Sequence, residues 1–266
     1  MTMKEFKPEE LKKLFKPKKE SHKGQNGKML LIGGSELFHA ASMWALEVAS
    51  RVVDMVFYAS VPVNEAIVRK QKERFGDGIV VPEGKLEEYL EEADCILIGP
   101  GMDRSEKTKK ITNKLLKKYP KKRWVIDGGA LQMMDRDLLT ETMIITPHIK
   151  EFKRLFKVER NGEMVEKMVK KYGCTIALKG EEDVICGKSG CVVSRSGNEG
   201  MTKGGTGDVL AGLIAALYCK NEAMLSATAG VYLNGLAGDR LYSMVGTNFN
   251  TSDLVRELPR VMAEVV

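Results

Sequence analysis

The sequence predicts an α/β fold in which helices flank both faces of a central, mainly parallel β-sheet, followed by a helical C-terminal third. Short apolar runs rich in β-branched residues recur through the first two thirds of the 266 residues. Segments of helical periodicity separate these runs, as in successive strand–helix–strand units. The runs are apolar throughout instead of alternating with polar residues, as expected for a sheet covered on both faces. The chain contains no linker, repeat or low-complexity stretch, and we expect one domain over residues 1–266.

The apolar runs predict strands that end at turn residues. The predicted strands lie in residues 28–34, 52–60, 95–101, 123–129, 143–148 and 174–180. The predicted helices between them include residues 40–52, 105–119 and 161–172. Residues 183–195 predict a β-hairpin that turns at 187–190. From Asp208 onward the apolar pattern predicts helix almost throughout.

The charge of the chain favours small anionic ligands. Lys and Arg number 42 against 36 Asp and Glu, a net charge of +6. This mild basic excess does not call for nucleic acid, whose binding proteins cluster their charge on one face. Basic residues gather at 12–19 and 107–123. The pattern of these runs is typical of solvated faces, the second on an amphipathic helix, with a polyanion site as the alternative.

Apolar length and cysteine spacing predict the compartment. No apolar run reaches the ~18 residues that span a bilayer, and residues 1–15 lack the apolar core of a secretory signal. The five cysteines form no C-x-x-C pair and are odd in number. This favours buried free thiols over a metal site. We therefore expect a cytoplasmic globular protein that binds neither membranes nor nucleic acid.

Several predicted strands end in polar or Gly-rich turns. The turns read GGS, GPG, DGG, TPH and KGEED. Ligands of open parallel sheets bind beyond the carboxyl ends of the strands, and these turns would all lie along that edge. The sequence therefore predicts a small-molecule cleft there.

The segment KGGTGDVLAG (203–212) predicts an anion site beside a carboxylate. A helix start offers unpaired N–H groups and partial positive charge, and the three glycines let backbone approach an anion. Thr206 can add a hydroxyl donor. Asp208 stands where a Walker loop would carry Lys, so the pattern favours phosphoryl transfer to a hydroxyl with the carboxylate as base. The alternative is that Asp208 only caps the helix.

Six segments, in the same order, resemble the NAD(P)H-hydrate dehydratases of the ribokinase-like superfamily. The resemblance extends from about residue 21 to the C-terminus. The segments are SHKGQNGKMLLIGGS (21–35), LIGPGM (97–102), VIDGGAL (125–131), ITPHIKEFKRLF (145–156), ALKG (177–180) and GNEGMTKGGTGDVLAG (197–212). Members of the family use ADP or ATP to phosphorylate the ring hydroxyl of hydrated NADH or NADPH, and elimination of phosphate restores the dinucleotide. The resemblance implies a ribokinase-like fold, a hydro-lyase assisted by Mg²⁺, and a homo-oligomer, specifically a tetramer.

The resemblance also implies roles for individual residues. Asp208 would be the catalytic base and the main contact to the reacting hydroxyl. Ala41, Gly101 and His148 would face the hydrated dinucleotide. The nucleotide would lie against two segments, Lys179, Gly180, Glu181, Glu182, Asp183 and Asn198, Glu199, Gly200, Met201, Thr202, Lys203, Gly204, Gly205, Thr206, Gly207. No carboxylate cluster in the sequence identifies ligands for Mg²⁺.

Three of the residues have simpler interpretations. His148 can be a turn residue at a strand end. Lys179 can be a surface residue, although its place before Gly180 favours ligand contact. Asp127 ends a strand on the ligand edge but can equally cap the following helix, and it is a secondary candidate.

Departures from the family pattern fall mostly on the dinucleotide side. FHAA (38–41) carries Ala40 where the family has glycine, and Asp103 replaces the last glycine of Gly-Pro-Gly-Leu-Gly. DGG (127–129) lacks the second carboxylate of Asp-Ala-Asp, and TPHIKE adds Lys150. Two alternatives therefore stay open. One is a kinase that phosphorylates a small alcohol and stops there, and the other is a nucleotide-binding protein without catalysis.

Overall fold

The structure, a computed structural model, describes residues 3–73, 75–158 and 162–266. The described residues form a ten-stranded sheet in the order β1-β10-β9-β8-β7-β6-β5-β2-β3-β4. The strands are β1 Lys4–Glu5, β2 Lys28–Ile32, β3 Met55–Ala59, β4 Ile79–Val80, β5 Cys95–Ile98, β6 Arg123–Ile126, β7 Met143–Ile145, β8 Thr175–Leu178, β9 Asp183–Gly187 and β10 Gly190–Ser194. Neighbouring strands are parallel except at β8–β9 and β9–β10. The predicted mainly parallel sheet is confirmed.

Helices cover both faces of this sheet. They are α1 Ala40–Ala49, α2 Pro62–Gln71, α3 Leu86–Glu92, α4 Glu106–Lys118, α5 Gly128–Met133, α6 Ile149–Phe156, α7 Gly162–Tyr172, α8 Thr206–Tyr218, α9 Ala223–Val245 and α10 Thr251–Val265. Shorter 3₁₀ helices span Pro8–Lys13, Arg136–Leu138 and Glu199–Thr202. The predicted crossover helices, hairpin and helical C-terminal third are confirmed.

The sequence missed the two edge strands, β1 and β4. Each has only two residues, too few for a period of two to be recognised. Within the described ranges, none of the helices combines the length and apolar character that crossing a bilayer requires.

Successive residues of the inner strands pack into opposite layers. Leu30 and Ile96 lie in one buried cluster with residues of α3 to α7. Their neighbours Leu31 and Leu97 lie in a second cluster with residues of α1, α8 and α9. Both sides of each strand are therefore buried, which explains why the runs are apolar throughout.

The basic runs lie on solvated surfaces. In α4 the lysines are exposed, whereas Thr112, Leu115 and Leu116 are buried beneath them. The lysines at positions 12–19 are likewise exposed. The interpretation of both runs as solvated faces is confirmed, and this burial pattern fixes which side of α4 meets the sheet.

The expectation of five free thiols is wrong for Cys186 and Cys191, which form a disulfide. They are directly paired in the register of β9 and β10, with their Cα atoms 4.1 Å apart. The hairpin turn therefore brings together two cysteines that the sequence separates by five positions, without any C-x-x-C motif. Cys95, Cys174 and Cys219 are free and buried, as predicted.

We expect unreduced, denatured protein to take up an alkylating reagent at only three cysteines, and reduced protein at all five. Peptide mass spectrometry with differential labelling locates the protected pair. Replacing both hairpin cysteines with serine is expected to lower the free energy of unfolding by only about 2 kcal/mol, because the closed loop is short. Labelling of all five thiols before reduction would contradict the pairing.

Candidate active site

Loops that follow three neighbouring strands meet at the carboxyl edge of the sheet. Asp127 follows β6, Thr146 follows β7 and Lys179 follows β8. The Thr146 hydroxyl donates to Asp127 Oδ1 at 2.7 Å, and Lys179 Nζ donates to the same oxygen at 3.0 Å. Asp127 is only 4 % exposed. A buried carboxylate is thus held by a hydroxyl and an ammonium from the two adjoining loops.

The interpretation of Asp127 as a helix cap is wrong. The residue occupies the N-cap position of α5, but its side chain makes no capping hydrogen bond. The Lys179 ammonium lies within reach, and a charge-assisted bond to it is stronger than one to a neutral N–H group. Gly99 makes this placement possible, because its φ is +124° and a Cβ there would lie 1.8 Å from the Asp127 carbonyl oxygen.

Glu151 is a site residue that sequence reasoning missed. It is buried in α6, accepting from Gln132 Nε2 at 2.7 Å and from the His148 N–H at 2.8 Å. His148 Nδ1 accepts in turn from the N–H groups of Lys150 and Glu151, which completes a capping box. The available signal was a His three residues before Glu, at the end of the predicted strand 143–148. His148 therefore caps α6, while its side chain stays half exposed at the cleft.

The glycine-rich loop reaches α8 through a left-handed residue. Gly205 is the N-cap, with φ +102°, and a Cβ there would lie 2.3 Å from Trp44 Cζ3. The Thr206 hydroxyl donates to the carbonyl oxygens of Met201 and Lys203, at 2.7 and 2.9 Å. In this structure the hydroxyl is therefore engaged within the loop and is not directed at an anion. Because Gly205 is the cap, the interpretation of Asp208 as a simple helix cap is wrong.

Side chains anchor this loop to α9 and to the segment before α10. Lys203 Nζ donates to the carbonyl oxygens of Thr247 and Phe249. Asp239 accepts from the Gly197 N–H and from Asn198 Nδ2, each at 2.9 Å. N–H groups in the first turn of a helix have no intrahelical acceptor. The loop is thus held in place before the first turn of α8 by contacts outside that turn.

Asp208 lies half-buried in the first turn of α8. Burial, and next the charge of Asp127, raise the pKa of this carboxyl from 3.8 to about 7, while Lys179 opposes the rise and Glu151 adds to it. Burial alone would lower the pKa of Lys179, but Asp127, Glu151 and Asp208 raise it above its ordinary value. The site therefore combines a permanent cation with a carboxyl that titrates near neutral pH, a combination suited to anion binding and proton transfer.

Lys179 belongs to the interior of the site and not to the surface. Its side chain is 21 % exposed. A Cβ at Gly207 would lie 3.3 Å from Lys179 Nζ, so the ammonium rests against the start of α8. The rest of that predicted nucleotide segment lies farther out. Asp183 accepts from the Gly180 N–H, and Glu182 pairs with Arg195.

The structure brings Ala41 and Gly101 together beyond the carboxyl ends of β2 and β5. Gly101 has φ +71°, and a Cβ there would lie 3.1 Å from both Ala41 Cβ and the Phe38 carbonyl oxygen. The Phe38 ring beside this contact is half exposed. Asp103, which departs from the family pattern, accepts from the hydroxyls of Ser105 and Thr108. Its carboxylate therefore supports the start of α4.

Nothing in the described side chains forms a metal cage. Among residues that the structure describes, no group of three or more His, Cys, Asp or Glu side chains is arranged to hold a metal ion.

The sheet, its carboxyl-edge cluster and the glycine-rich start of α8 define a ribokinase-like α/β protein. A sequence profile described as NAD(P)H-hydrate dehydratase matches residues 29–260, and the chain belongs to this family. It is 35% identical over 267 residues to the ADP-dependent (S)-NAD(P)H-hydrate dehydratase of Nitrosopumilus maritimus, with 92% of this chain and 91% of that protein covered. It is 38% identical over 262 residues to the bifunctional NAD(P)H-hydrate repair enzyme Nnr of Methanocaldococcus jannaschii. That match covers 95% of this chain but 51% of the relative, so the chain spans about half of its length.

Solved structures support the fold assignment. A ribokinase-like superfamily protein of Enterococcus faecalis superimposes with a TM-score of 0.90 at 26% identity, covering 99% of this chain and 96% of that chain. The ADP/ATP-dependent NAD(P)H-hydrate dehydratase of Bacillus subtilis, co-crystallised with ATP/Mg²⁺, superimposes with a TM-score of 0.82 at 23% identity over the full length of both chains. The predicted family and ribokinase-like fold are confirmed.

We expect Gly205→Ala to lower the free energy of unfolding by about 1–3 kcal/mol, because the substitution adds left-handed strain and a clash with Trp44. Gly204→Ala is the matched control, since a Cβ there meets nothing within 4 Å. Its effect should stay within about 0.5 kcal/mol. Chemical denaturation measures both variants. Equal losses would show that the left-handed cap does not constrain the loop.

Proposed function

We propose that the protein catalyses the ADP- or ATP-dependent dehydration of hydrated NADH or NADPH. The observation that carries this proposal is the half-buried Asp208, whose pKa is raised to about 7 by burial and then by Asp127, next to the Lys179 ammonium. Both groups lie at the start of α8, where helix N–H groups favour phosphate. Membership of the family supports the choice of substrates.

The proposed reaction has two steps, which are phosphoryl transfer to the ring hydroxyl and elimination of phosphate. The ring hydroxyl oxygen attacks the terminal phosphorus, so that one P–O bond forms while the P–O bond to the departing nucleotide breaks. Asp208 accepts the hydroxyl proton. The ring C–O bond then breaks, phosphate departs with the electron pair, and the adjacent carbon gives up a proton to solvent, its C–H electron pair forming the ring double bond.

The residues around Asp208 divide between the two substrates. N–H groups at the start of α8 and the Lys179 ammonium stabilise charge on the phosphoryl oxygens during transfer. The backbone of residues 198–207 lies along the nucleotide phosphates. Ala41 and Gly101 leave room for the dinucleotide because of their small size, and His148 contacts it from the start of α6.

Mg²⁺ would come to this site bound to the nucleotide, and it would shield phosphate charge there. The described side chains do not fit a protein-held ion, because no three His, Cys, Asp or Glu among them are arranged to hold one, and Asp127 Oδ1 and the Glu151 oxygens already accept hydrogen bonds. Mg²⁺ in such sites is held largely by substrate phosphates and water, where it shields phosphate charge.

We also propose that the chain forms a homo-oligomer, with a tetramer as the expected form. The end of α9 exposes Tyr242, Met244 and Val245, and adjoining apolar residues at a surface favour association. Light scattering coupled to size-exclusion chromatography measures the mass. The mass of a monomer at micromolar concentration would exclude the homo-oligomer.

The function is tested with hydrated NADH, Mg²⁺ and either ADP or ATP. Dehydration restores the NADH absorbance and releases one phosphate for each NADH formed. Accumulation of a stable phosphomonoester would instead indicate a kinase. Nucleotide binding by calorimetry without turnover of any acceptor would indicate a binding protein. No absorbance recovery with either nucleotide would reject the dehydratase.

We expect Asp208→Asn to lower kcat about a hundredfold or more, because the amide cannot accept the hydroxyl proton. ADP affinity should change little, since the phosphates are bound by backbone and Lys179. Steady-state kinetics and calorimetry measure the two quantities. Asp253→Asn, which alters a carboxylate in the capping box of α10, controls for the loss of charge alone. A near-normal rate for Asp208→Asn would exclude it as the base.

Activity should depend on pH through Asp208. Burial, and then Asp127, raise its pKa to about 7, so kcat/KM is expected to be full above about pH 8 and to fall roughly tenfold per unit below about pH 6. The folded state binds more protons than the unfolded state between the unfolded pKa of 3.8 and about 7, so this group's contribution to stability is lost as pH rises through that window. Asp208→Asn should therefore raise Tm more at pH 8 than at pH 5. If kcat/KM of Asp208→Asn still falls at low pH, that fall belongs to another titrating group.

A further inference from the structure

The site holds more negative than positive charge, although it is expected to receive a polyphosphate. Three carboxyls act on the Lys179 ammonium, from Asp127 after β6, Glu151 in α6 and Asp208 in α8. The direct ion pair among them is to Asp127, at 3.0 Å. A carboxylate so close to an anion site needs a reason, because it repels phosphate unless its charge is neutralised.

The position of the ammonium supplies that reason. Lys179 Nζ touches Asp127 on one side, and on the other it lies 3.3 Å from where a Gly207 Cβ would be. It therefore lies between a fixed carboxylate and the N–H groups that open α8. Asp127 is itself fixed by the Thr146 hydroxyl on the same oxygen. Both the pair and its support are built from residues at strand ends, which are rigid positions.

We propose that Asp127 is a positioning residue whose carboxylate holds the Lys179 ammonium at the start of α8, where the ammonium binds the phosphoryl group in transfer. This inference rests on the proposed function and adds a residue pair to it. Asp127 touches neither substrate and acts through Lys179. Lysine alone on its flexible stem would sample many positions, whereas the ion pair fixes one.

The pair also sets the ionisation of the base. The charged groups that act on Asp208 are Asp127 and Glu151, which disfavour its ionised form, and Lys179, which favours it. His148 contacts Glu151 and belongs to the same cluster. Of the charges, Asp127 acts most strongly on Asp208, so removing Asp127 lowers the titration midpoint of Asp208 even when the ammonium is released, whereas removing Lys179 raises it.

The first test measures Asp208 directly in nucleotide-free protein, through the carboxyl ¹³C signal that disappears in Asp208→Asn. Asp127→Asn is expected to lower the titration midpoint by about half a pH unit or more, and Lys179→Met to raise it by a similar amount. Asp137→Asn and Lys188→Met, at exposed positions, are matched controls that should leave it unchanged. A midpoint that moves in neither site variant would overturn the proposal.

The second test is a double-mutant cycle on dehydration. Lys179→Met is expected to lower kcat about a hundredfold, and Asp127→Asn about tenfold with its acidic limb displaced to lower pH. At a pH where Asp208 is ionised in every variant, the double variant should be no slower than Lys179→Met, because Asp127 then acts on the rate only through the ammonium. Asp127→Glu should recover part of the rate. Losses that multiply in the double variant would overturn the proposal.

Calorimetry separates this inference from the proposed function. If the wild-type protein is inactive on hydrated dinucleotides, opposite titration shifts, together with an ADP affinity that falls about tenfold or more in Lys179→Met, still support the Asp127–Lys179 assignment. The dehydratase proposal alone would then fail. Unchanged ADP affinity in Lys179→Met would overturn the placement of its ammonium on phosphate.

Discussion

The ion pair between Lys179 and Asp127 is the interaction on which the site depends. It joins the ends of β8 and β6 across the carboxyl edge of the sheet. Because the cation is held there, a carboxyl in the first turn of α8 can lie among two others and still ionise near neutral pH. The parallel sheet makes this possible, since it places the ends of β6, β7 and β8 side by side.

Asp127 and Asp208 are both removed from solvent, but their charges are compensated to different degrees. Asp127 is nearly inaccessible and is neutralised by a cation and a hydroxyl. Asp208 is more accessible, and the Lys179 ammonium only partly offsets its burial. A paired carboxylate is suited to holding a neighbour in place, whereas an incompletely compensated one is suited to exchanging protons. Two residues of the same type thus acquire different tasks from their surroundings.

Most of the fold could be predicted from the sequence, because both faces of each inner strand are buried and leave a continuous apolar run. The edge strands β1 and β4 could not be predicted, because a strand of two residues is too short to show an alternating pattern. In the site, Asp208 and the glycine loop were recognised because they form one contiguous segment of the sequence. The role of Asp127 was not, because its partners Thr146 and Lys179 are 19 and 52 residues away. The Cys186–Cys191 pair escaped prediction for a related reason, since only the hairpin register places these residues opposite each other.

Helix α1 contacts both the Gly101 loop and the glycine-rich loop before α8. Ala41 contacts the Gly101 loop, and Trp44, three residues later, packs against the Gly205 cap while its indole N–H donates to Ser252 of α10. Three residues of helix correspond to a rise of about 4.5 Å. The spacing between the Gly101 loop and the Gly205 loop is therefore set by less than one turn of a single helix. A displacement of α1 therefore acts on the Gly101 loop and on the Gly205 loop at the same time.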